Sequence, residues 1–347
     1  MIRMKDGVKI VRREPDLEQW HKLYEVAAAL QELAPWRVLW DADIVTIQLP
    51  ERAEPVFCSV MGRGGNCCGI VVYPDQEAYE RLHRLLAAED DVSSRIEAGE
   101  QRCLTCYYGD REEIQPQDRR VIQELGLTFR GRGRWIYFRA MEPGYFPDFL
   151  DAVQATVLIG ALQNLYMACG YLLQGEIKVD FEAGETLLRF YSEERGEWLN
   201  AAVPMPAFPQ QRPIIRLTDE LLAARLKKQK MQDFRLELDS FFIPAPIQES
   251  RDKRPYLPRL TILADRDKGQ VLAQHLAPPE EEPAENVMTM LLEFIEERGR
   301  PAAVYVRDDR LGILLKAVCT EINVRLIAGQ GMPAADEVFE EMLNMME

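Results

Sequence analysis

The chain has 347 residues, more than one ordinary domain core accommodates, so two or three domains are expected. Its formal net charge of −15, from 42 basic and 57 acidic side chains, argues against a protein that coats nucleic acid or anionic lipid with its whole surface. With 47% hydrophobic and 29% charged residues, the composition is typical of folded globular proteins and excludes a disordered chain.

The N-terminal half predicts an antiparallel sheet with helices. Apolar residues at helical spacing predict a helix over residues 16–33, which Asp16 opens and Pro35 stops. Four β-type runs follow, WRVLW, DIVTIQL, VFCSVM and CCGIVVY, and the last two form a predicted hairpin. The remaining predicted elements are a helix over 76–88, a strand over 102–108, a short helix over 118–125, a strand over 135–139, a long apolar helix within 147–173 and a hairpin over 185–202.

A change in composition marks the end of this half. Four prolines lie within ten residues from Pro204 to Pro213, which predicts a stiff connector. A basic helix over 219–230 and a strand over 234–243 follow it. We therefore predict three parts: an N-terminal α+β module over residues 1–203, a connector with a basic helix and a strand over 204–255, and a C-terminal α/β module over 256–347.

The C-terminal module shows the clearest pattern. The runs LTILAD and QVLAQHL flank a turn and predict a hairpin. A helix over 286–298, the strand AAVYV, the helix LGILLKAVCTEI, the strand VRLIA and a helix over 334–346 follow in that order. A strand, a helix and a strand at this spacing predict two parallel strands joined by a right-handed crossover.

Longer runs of the sequence resemble known families. The run DREEIQPQDRRVIQELGLTFRGRGRWIYFRAMEPGYFPDFL, together with APWRVLWDADIV and YPDQEAYERL, resembles the N-terminal module of a bacterial family of unknown function. The runs RPYLPRLTILADRDKGQVL, GRPAAVYVRD and INVRLIA resemble the C-terminal domain of unknown function that often accompanies it. The resemblance implies a two-module bacterial protein, and it supplies no activity, cofactor or catalytic residue.

Carboxylates in the C-terminal module suggest one enzymatic hypothesis. The element order resembles a shortened ribonuclease-H-like fold, although it is one strand short. Active members hold two metal ions with carboxylates from the first strand, a later central strand and the last helix. Asp265 ends the predicted first strand, Asp308 and Asp309 follow the strand AAVYV, and Asp336 lies on the last helix. A Mg²⁺-dependent nuclease is therefore the alternative to a scaffold in which Asp265 is a turn residue and Asp309 a helix cap.

The cysteines suggest a weaker metal hypothesis. Cys103 and Cys106, with the pair Cys67 and Cys68, supply enough thiolates for a structural zinc ion. Residues three apart in a strand face opposite sides, however, so buried free thiols are the better interpretation of Cys103 and Cys106. The odd total of seven cysteines also favours reduced thiols over a disulfide framework.

Two basic islands interrupt the acidic chain. Residues 119–139 carry six arginines against one acid, and residues 225–235 carry five basic side chains against one acid. The candidate nucleic-acid contacts in these islands are Arg130, Arg132, Arg134, Trp135, Lys227, Lys228 and Lys230, with phosphates as targets of the cations and bases as targets of the ring. Alternatively the arginines pair with the surplus carboxylates, while Trp135 and Tyr137 face the core and Ile136 and Phe138 face the other side.

Common catalytic motifs are missing from the sequence. It contains no GxSxG, no HExxH, no P-loop lysine after a glycine run and no GxGxxG that opens a helix. The first residues lack the apolar core of a signal peptide, and no run approaches about 18 apolar residues. We therefore expect a cytoplasmic, non-catalytic binding or regulatory protein that acts through protein or nucleic-acid partners, without a cofactor and without membrane contact.

Overall fold

The computed structural model of the protein describes residues 12–65, 67–206, 219–248, 254–307 and 309–345. The chain forms two compact units: unit 1 is Met1–His83, Gln101–Glu142 and Pro147–Phe208, and unit 2 is Arg84–Glu100, Pro143–Phe146 and Pro209–Glu347. Each unit contains its own sheet, one of seven strands and one of five. The α+β class predicted from the sequence is confirmed, because helices accompany two separate sheets.

The elements from the N-terminal part of the chain are α1 Leu17–Leu33, β1 Val45–Gln48, β2 Val56–Met61, β3 Cys68–Tyr73, α2 Gln76–Ala87, α3 Asp91–Gly99, β4 Cys103–Gly109, α4 Pro116–Glu124, β5 Trp135–Met141, α5 Ala152–Leu173, β6 Glu185–Ser192 and β7 Glu197–Pro204. The seven-stranded sheet has the order β5-β4-β3-β2-β1-β6-β7. Its neighbouring strands are antiparallel except for the parallel pair β1 and β6.

Helices α1 and α5 cover one face of this sheet. Each begins with a reciprocal pair of side-chain and backbone hydrogen bonds, from Asp16 and Gln19 in α1 and from Asp151 and Gln154 in α5. Although α5 is long and apolar enough by length and composition to cross a membrane, its buried residues belong to the core of unit 1. The two helices contact each other along their length and enclose the largest hydrophobic cluster of this unit.

The structure corrects two local predictions. Residues 36–40 were expected to be a strand, but Pro35–Arg37 form a 3₁₀ helix, because Ala34 ends α1 in the left-handed conformation and Pro35 occupies the first helical position. Helix α3 was not predicted, although Asp90 caps it by accepting a hydrogen bond from the Ser93 backbone N–H. The sequence signal for α3 was therefore the cap alone, since its apolar positions are few.

Strand β5 faces the core with the opposite set of residues from the one expected. Ile136 and Phe138 are buried, whereas Trp135 and Tyr137 are partly exposed. The Phe138 ring contacts Tyr24 of α1 edge-on, with ring centroids 5.1 Å apart. Side chains alternate between the two faces of a strand, so the sequence fixes which residues share a face but not which face is buried. The position of α1 decided which face of β5 is buried.

The elements of the C-terminal part are α6 Glu220–Lys228, β8 Arg235–Phe242, β9 Arg259–Asp265, β10 Gln270–Ala277, α7 Pro283–Arg298, β11 Ala303–Val306, α8 Asp309–Glu321, β12 Arg325–Ala328 and α9 Pro333–Asn344. The five-stranded sheet has the order β10-β9-β8-β11-β12. Strand β8 is antiparallel to β9 and parallel to β11, and β11 is parallel to β12 as predicted. Strand β8, predicted as part of the connector, lies at the centre of this sheet.

Helix α3 packs within unit 2 although it precedes β4 in the chain. Ile96 joins a hydrophobic cluster with Phe241 and Phe339. Glu97 is buried and forms ion pairs with Arg84 at 3.2 Å and with Arg310 at 3.1 Å. Unit 2 therefore depends on residues from two distant parts of the sequence.

Truncation of a fully buried leucine of α5 should test the role of this helix in the core. We expect Leu158→Ala to lower the free energy of unfolding by about 2–5 kcal/mol, because it leaves a cavity between α5 and the sheet. Val153, on the same helix, is 71% exposed, so Val153→Ala should change the free energy by less than about 0.5 kcal/mol. Urea unfolding followed by circular dichroism measures both, and equal effects would contradict the core assignment.

Candidate functional site

A loop rich in arginine connects α4 to β5. We call residues 128–134 the arginine loop. Gly131 and Gly133 adopt the left-handed conformation, with φ of 95° and 63°, which glycine reaches without strain. The Gly133 backbone N–H donates a hydrogen bond to Asp110 at 2.7 Å, and the side chain of Gln31 donates one to the Gly133 carbonyl oxygen at 2.9 Å. These two contacts hold the end of the loop in place.

The four arginines over residues 130–139 fall into two groups. Arg130, Arg132 and Arg134 are exposed, and within the described part of the chain no carboxylate forms an ion pair with them. Arg139, by contrast, is buried and donates two hydrogen bonds to the carboxylate of Asp118, at 3.0 and 2.8 Å. Of the two interpretations left open by the sequence, ion pairing therefore describes Arg139 and does not describe the arginine loop.

Aromatic side chains lie next to the loop arginines. Phe129, Arg130, Arg132 and Trp135 line an open cleft of about 470 Å³, together with Asp110, Arg111, Glu112 and Gly131. The Phe129 and Trp135 rings have centroids 5.9 Å apart. Both rings are partly exposed. The cleft thus combines guanidinium groups with apolar ring surface.

The second basic island is a surface of α6 and the residues after it. Lys227, Lys228 and Lys230 are exposed, whereas Arg225 forms an ion pair with Glu296 of α7. Lys227 and Lys228 lie in the last turn of the helix, where cations interact favourably with the helix dipole. This local role explains them without a partner, so they remain predicted contacts only.

Asp265 is the last residue of β9, directly before the β9–β10 turn. It is 3% exposed, accepts hydrogen bonds from the backbone N–H groups of Asp267 and Lys268 at 3.0 and 3.2 Å, and pairs with the Lys268 ammonium at 3.1 Å. Burial by itself would raise the pKa of Asp265, but these hydrogen bonds and the Lys268 charge lower it below its ordinary value. The turn interpretation accounts for all these contacts.

The other predicted carboxylates are Asp308, Asp309 and Asp336. Asp308 lies outside the described residues, so the pairing of Asp265 with Asp308 stays a prediction. Asp309 begins α8. Asp336, on α9, forms an ion pair of 2.7 Å with Arg307, and Arg307 forms a second one of 2.7 Å with Asp239.

Sequence reasoning missed Asp239 because it assigned β8 to the connector. Asp239 is 2% exposed and lies on the central strand of unit 2. The guanidinium group of Arg307 lies between its carboxylate and that of Asp336. Burial by itself would lower the pKa of Arg307, but the charges of the two carboxylates raise it above its ordinary value. The available signal was a pair of acids two residues apart, Glu237 and Asp239, which share one face of the strand.

The predicted zinc ligands Cys103 and Cys106 are buried in β4 and join different hydrophobic clusters, on opposite faces of the sheet. Burial raises the pKa of each thiol to about 12. Throughout the residues that the structure describes, no group of three or more histidine, cysteine, aspartate or glutamate side chains is arranged to hold a metal ion. The geometry therefore favours the interpretation of these cysteines as buried free thiols.

Removal of the Arg307 guanidinium group should destabilise unit 2. We expect Arg307→Met to lower the free energy of unfolding by about 3–5 kcal/mol, because it removes the guanidinium group that pairs with the buried carboxylate of Asp239. Arg325 is exposed, and Arg325→Met should change the free energy of unfolding by less than about 0.5 kcal/mol. Urea unfolding of both variants checks this, and wild-type stability of Arg307→Met would show that the ion pairs do not stabilise the unit.

No curated protein matches the sequence. Among solved structures, a chain of the "CryoEM structure of simian T-cell lymphotropic virus intasome in complex with PP2A regulatory subunit B56 gamma" matches with 15% sequence identity and a TM-score of 0.23. The match covers 35% of this chain and 44% of that chain, so it spans less than half of either. A likeness this low identifies neither a shared fold nor a shared activity.

Two family models match consecutive parts of the chain. Residues 20–189 match a family described as Domain of unknown function (DUF7309), and residues 222–343 match Domain of unknown function (DUF6930). Their order agrees with the resemblance seen in the sequence. The protein fits a two-module family of unknown function, with one such domain in each half of the chain.

Proposed function

We propose that this protein is a non-catalytic binding protein that contacts the phosphates of single-stranded nucleic acid through the arginine loop of unit 1. The observation that carries the proposal is the set of three exposed guanidinium groups on one anchored loop, none paired with a described carboxylate. The chain has a surplus of acidic side chains, which could neutralise these charges on the surface. Their unpaired state supports a role in binding an external anion.

The chemistry of the loop matches phosphate. A guanidinium group presents a planar fork of N–H donors, which binds two phosphate oxygens at once. Because Gly133 is held by hydrogen bonds to Asp110 and Gln31, less conformational freedom is lost when the loop binds. The loop therefore offers a partly preorganised phosphate site.

The aromatic side chains favour a single strand over a duplex. Bases of a single strand can stack on protein rings, and Phe129 and Trp135 lie beside the arginines. The formal charge of −15 would repel a long duplex outside the immediate contact. Only a short segment of nucleic acid fits this combination of a local basic cleft and an acidic protein.

Removing the loop arginines together tests the proposal. We expect the triple variant Arg130→Ala, Arg132→Ala and Arg134→Ala to bind labelled single-stranded RNA and DNA more weakly than the wild type. The plot of log affinity against log salt should become shallower by about 2, because each lost phosphate contact contributes roughly 0.7 to the slope. Fluorescence anisotropy over a salt series measures both quantities.

Two further triple variants serve as matched controls for charge. Alanine at Arg37, Arg298 and Arg325 removes three exposed arginines elsewhere and should leave most of the affinity intact. Alanine at Lys227, Lys228 and Lys230 tests the second basic island. Three outcomes would overturn the role of the arginine loop. These are an equal loss of affinity in all three triple variants, a loss of affinity only in the lysine variant, and wild-type binding that does not depend on salt.

For unit 2 we propose a ribonuclease-H-like fold that serves as a scaffold without catalysis. The central position of β8, antiparallel to β9 and parallel to β11, supports this fold. The ion pairs of Arg307 with Asp239 on the central strand and Asp336 on the last helix support the scaffold role, since these carboxylates are already paired with a cation. Asp265 likewise has its partners within the turn.

The competing nuclease hypothesis has a direct test. We expect no Mg²⁺-dependent cleavage of labelled RNA or DNA by the wild-type chain, because Asp239 and Asp336 bind Arg307 and Asp265 binds Lys268. Gel electrophoresis of the substrate over time measures this. The control is Asp233→Asn, at an exposed position. If Asp265→Asn or Asp308→Asn abolishes cleavage and Asp233→Asn retains it, the nuclease hypothesis is established and the scaffold hypothesis is overturned.

A further inference from the structure

One buried arginine of unit 1 lacks the partner that the other buried arginines have. Arg189 lies on β6 and is 4% exposed. In the part of the chain that the structure describes, no carboxylate forms an ion pair with it. Arg139, buried in the same unit, is neutralised by Asp118. A guanidinium group cannot lose its proton in a protein, so its buried charge requires compensation.

The groups around Arg189 are neutral. Its Nε donates to the Asn164 Oδ1 at 2.9 Å, and its Nη1 donates to the Asn200 Oδ1 at 3.1 Å. Asn164 in turn donates to the Gly160 carbonyl oxygen of α5, which orients its Oδ1 toward the guanidinium group. The guanidinium group lies 5.1 Å from the centre of the Trp198 ring. Amide oxygens and a ring face attract a cation but do not cancel its charge.

The remaining donors are suited to an oxyanion. A guanidinium group carries five N–H donors, and two of them have the acceptors named above. Burial lowers the pKa of Arg189, as expected for a charge whose desolvation is not offset. Trp198 contacts Tyr191 edge-on with ring centroids 5.7 Å apart, and Tyr191 is 38% exposed. Aromatic surface thus leads from the guanidinium group to the solvent.

We infer that Arg189, with Asn200 and Trp198, forms a binding site for a small oxyanion, a carboxylate or a phosphate group, between β6, β7 and α5. The oxyanion accepts hydrogen bonds from the guanidinium donors that have no acceptor among the described residues, and it neutralises the buried charge. The body of the ligand packs against the Trp198 and Tyr191 rings. This site is independent of the arginine loop, so the failure of one does not affect the other.

Thermal unfolding of the full chain tests the inference. The medium keeps a constant ionic strength, while chloride is replaced by acetate in one series and by inorganic phosphate in another. We expect the wild-type Tm to rise with the logarithm of the oxyanion concentration, because the ligand binds the folded state. The series that produces the larger rise identifies the carboxylate or the phosphate as the preferred group.

The variant Arg189→Met should lose this rise, and its Tm without oxyanion should equal or exceed that of the wild type, because an unpaired buried charge is removed. Arg139→Met is the matched control, since it leaves Asp118 buried without a cation and should lower the Tm in every medium. A rise of the same size in wild type and Arg189→Met would assign it to a general salt effect and overturn the site. The site would also be overturned if the Tm of Arg189→Met were as low as that of Arg139→Met and the wild-type Tm did not depend on the oxyanion.

Calorimetric titration of the wild type provides a second readout, which does not need a folded variant. Acetate or phosphate should give saturable heat of binding at constant ionic strength, and chloride should not. Two outcomes would overturn the assignment of an oxyanion site. One is that chloride binds with the same affinity as acetate or phosphate, and the other is that none of these three anions gives saturable heat.

Discussion

Buried guanidinium groups and their carboxylate partners hold distant elements of this protein together. Arg139 of β5 binds Asp118 of α4 with two hydrogen bonds in unit 1. In unit 2, Arg307 joins the central strand to the last helix by pairing with Asp239 and Asp336. Because an arginine cannot discharge itself when it is buried, these pairs have to form together with the apolar core.

The same requirement explains why unit 2 includes α3. Glu97 and Glu100 of this segment are buried, and Arg310 and Arg259 are their partners. The segment belongs to the N-terminal family match over residues 20–189, whereas both arginines belong to the C-terminal match over 222–343. The compact units therefore do not coincide with the two family domains, and unit 2 needs residues from both for its buried charges.

The two proposed sites depart from this pattern of pairing. In the arginine loop, the guanidinium groups are exposed and have no carboxylate partner among the described residues, so water solvates them until a ligand binds. At Arg189 the charge is buried and its described hydrogen-bond partners are neutral amides, which is the basis of the proposed oxyanion site. Both lie in unit 1, whereas Asp265 and Asp336, two of the carboxylates considered for catalysis, lie in unit 2 and pair with Lys268 and Arg307.

Local patterns of the sequence were enough to predict α1, α5, the antiparallel meander and the parallel pair β11 and β12, because helix caps, turn residues and apolar periodicity act over a few residues. The arginine loop was also visible as composition. Tertiary structure alone decided three other features. These are the inward face of β5, the central place of β8 in its sheet, and the contact of Arg307 with Asp239, which lies 68 residues away in the sequence. Strand order and helix packing bring such residues together, and neither leaves a signal in the residues' own neighbourhood.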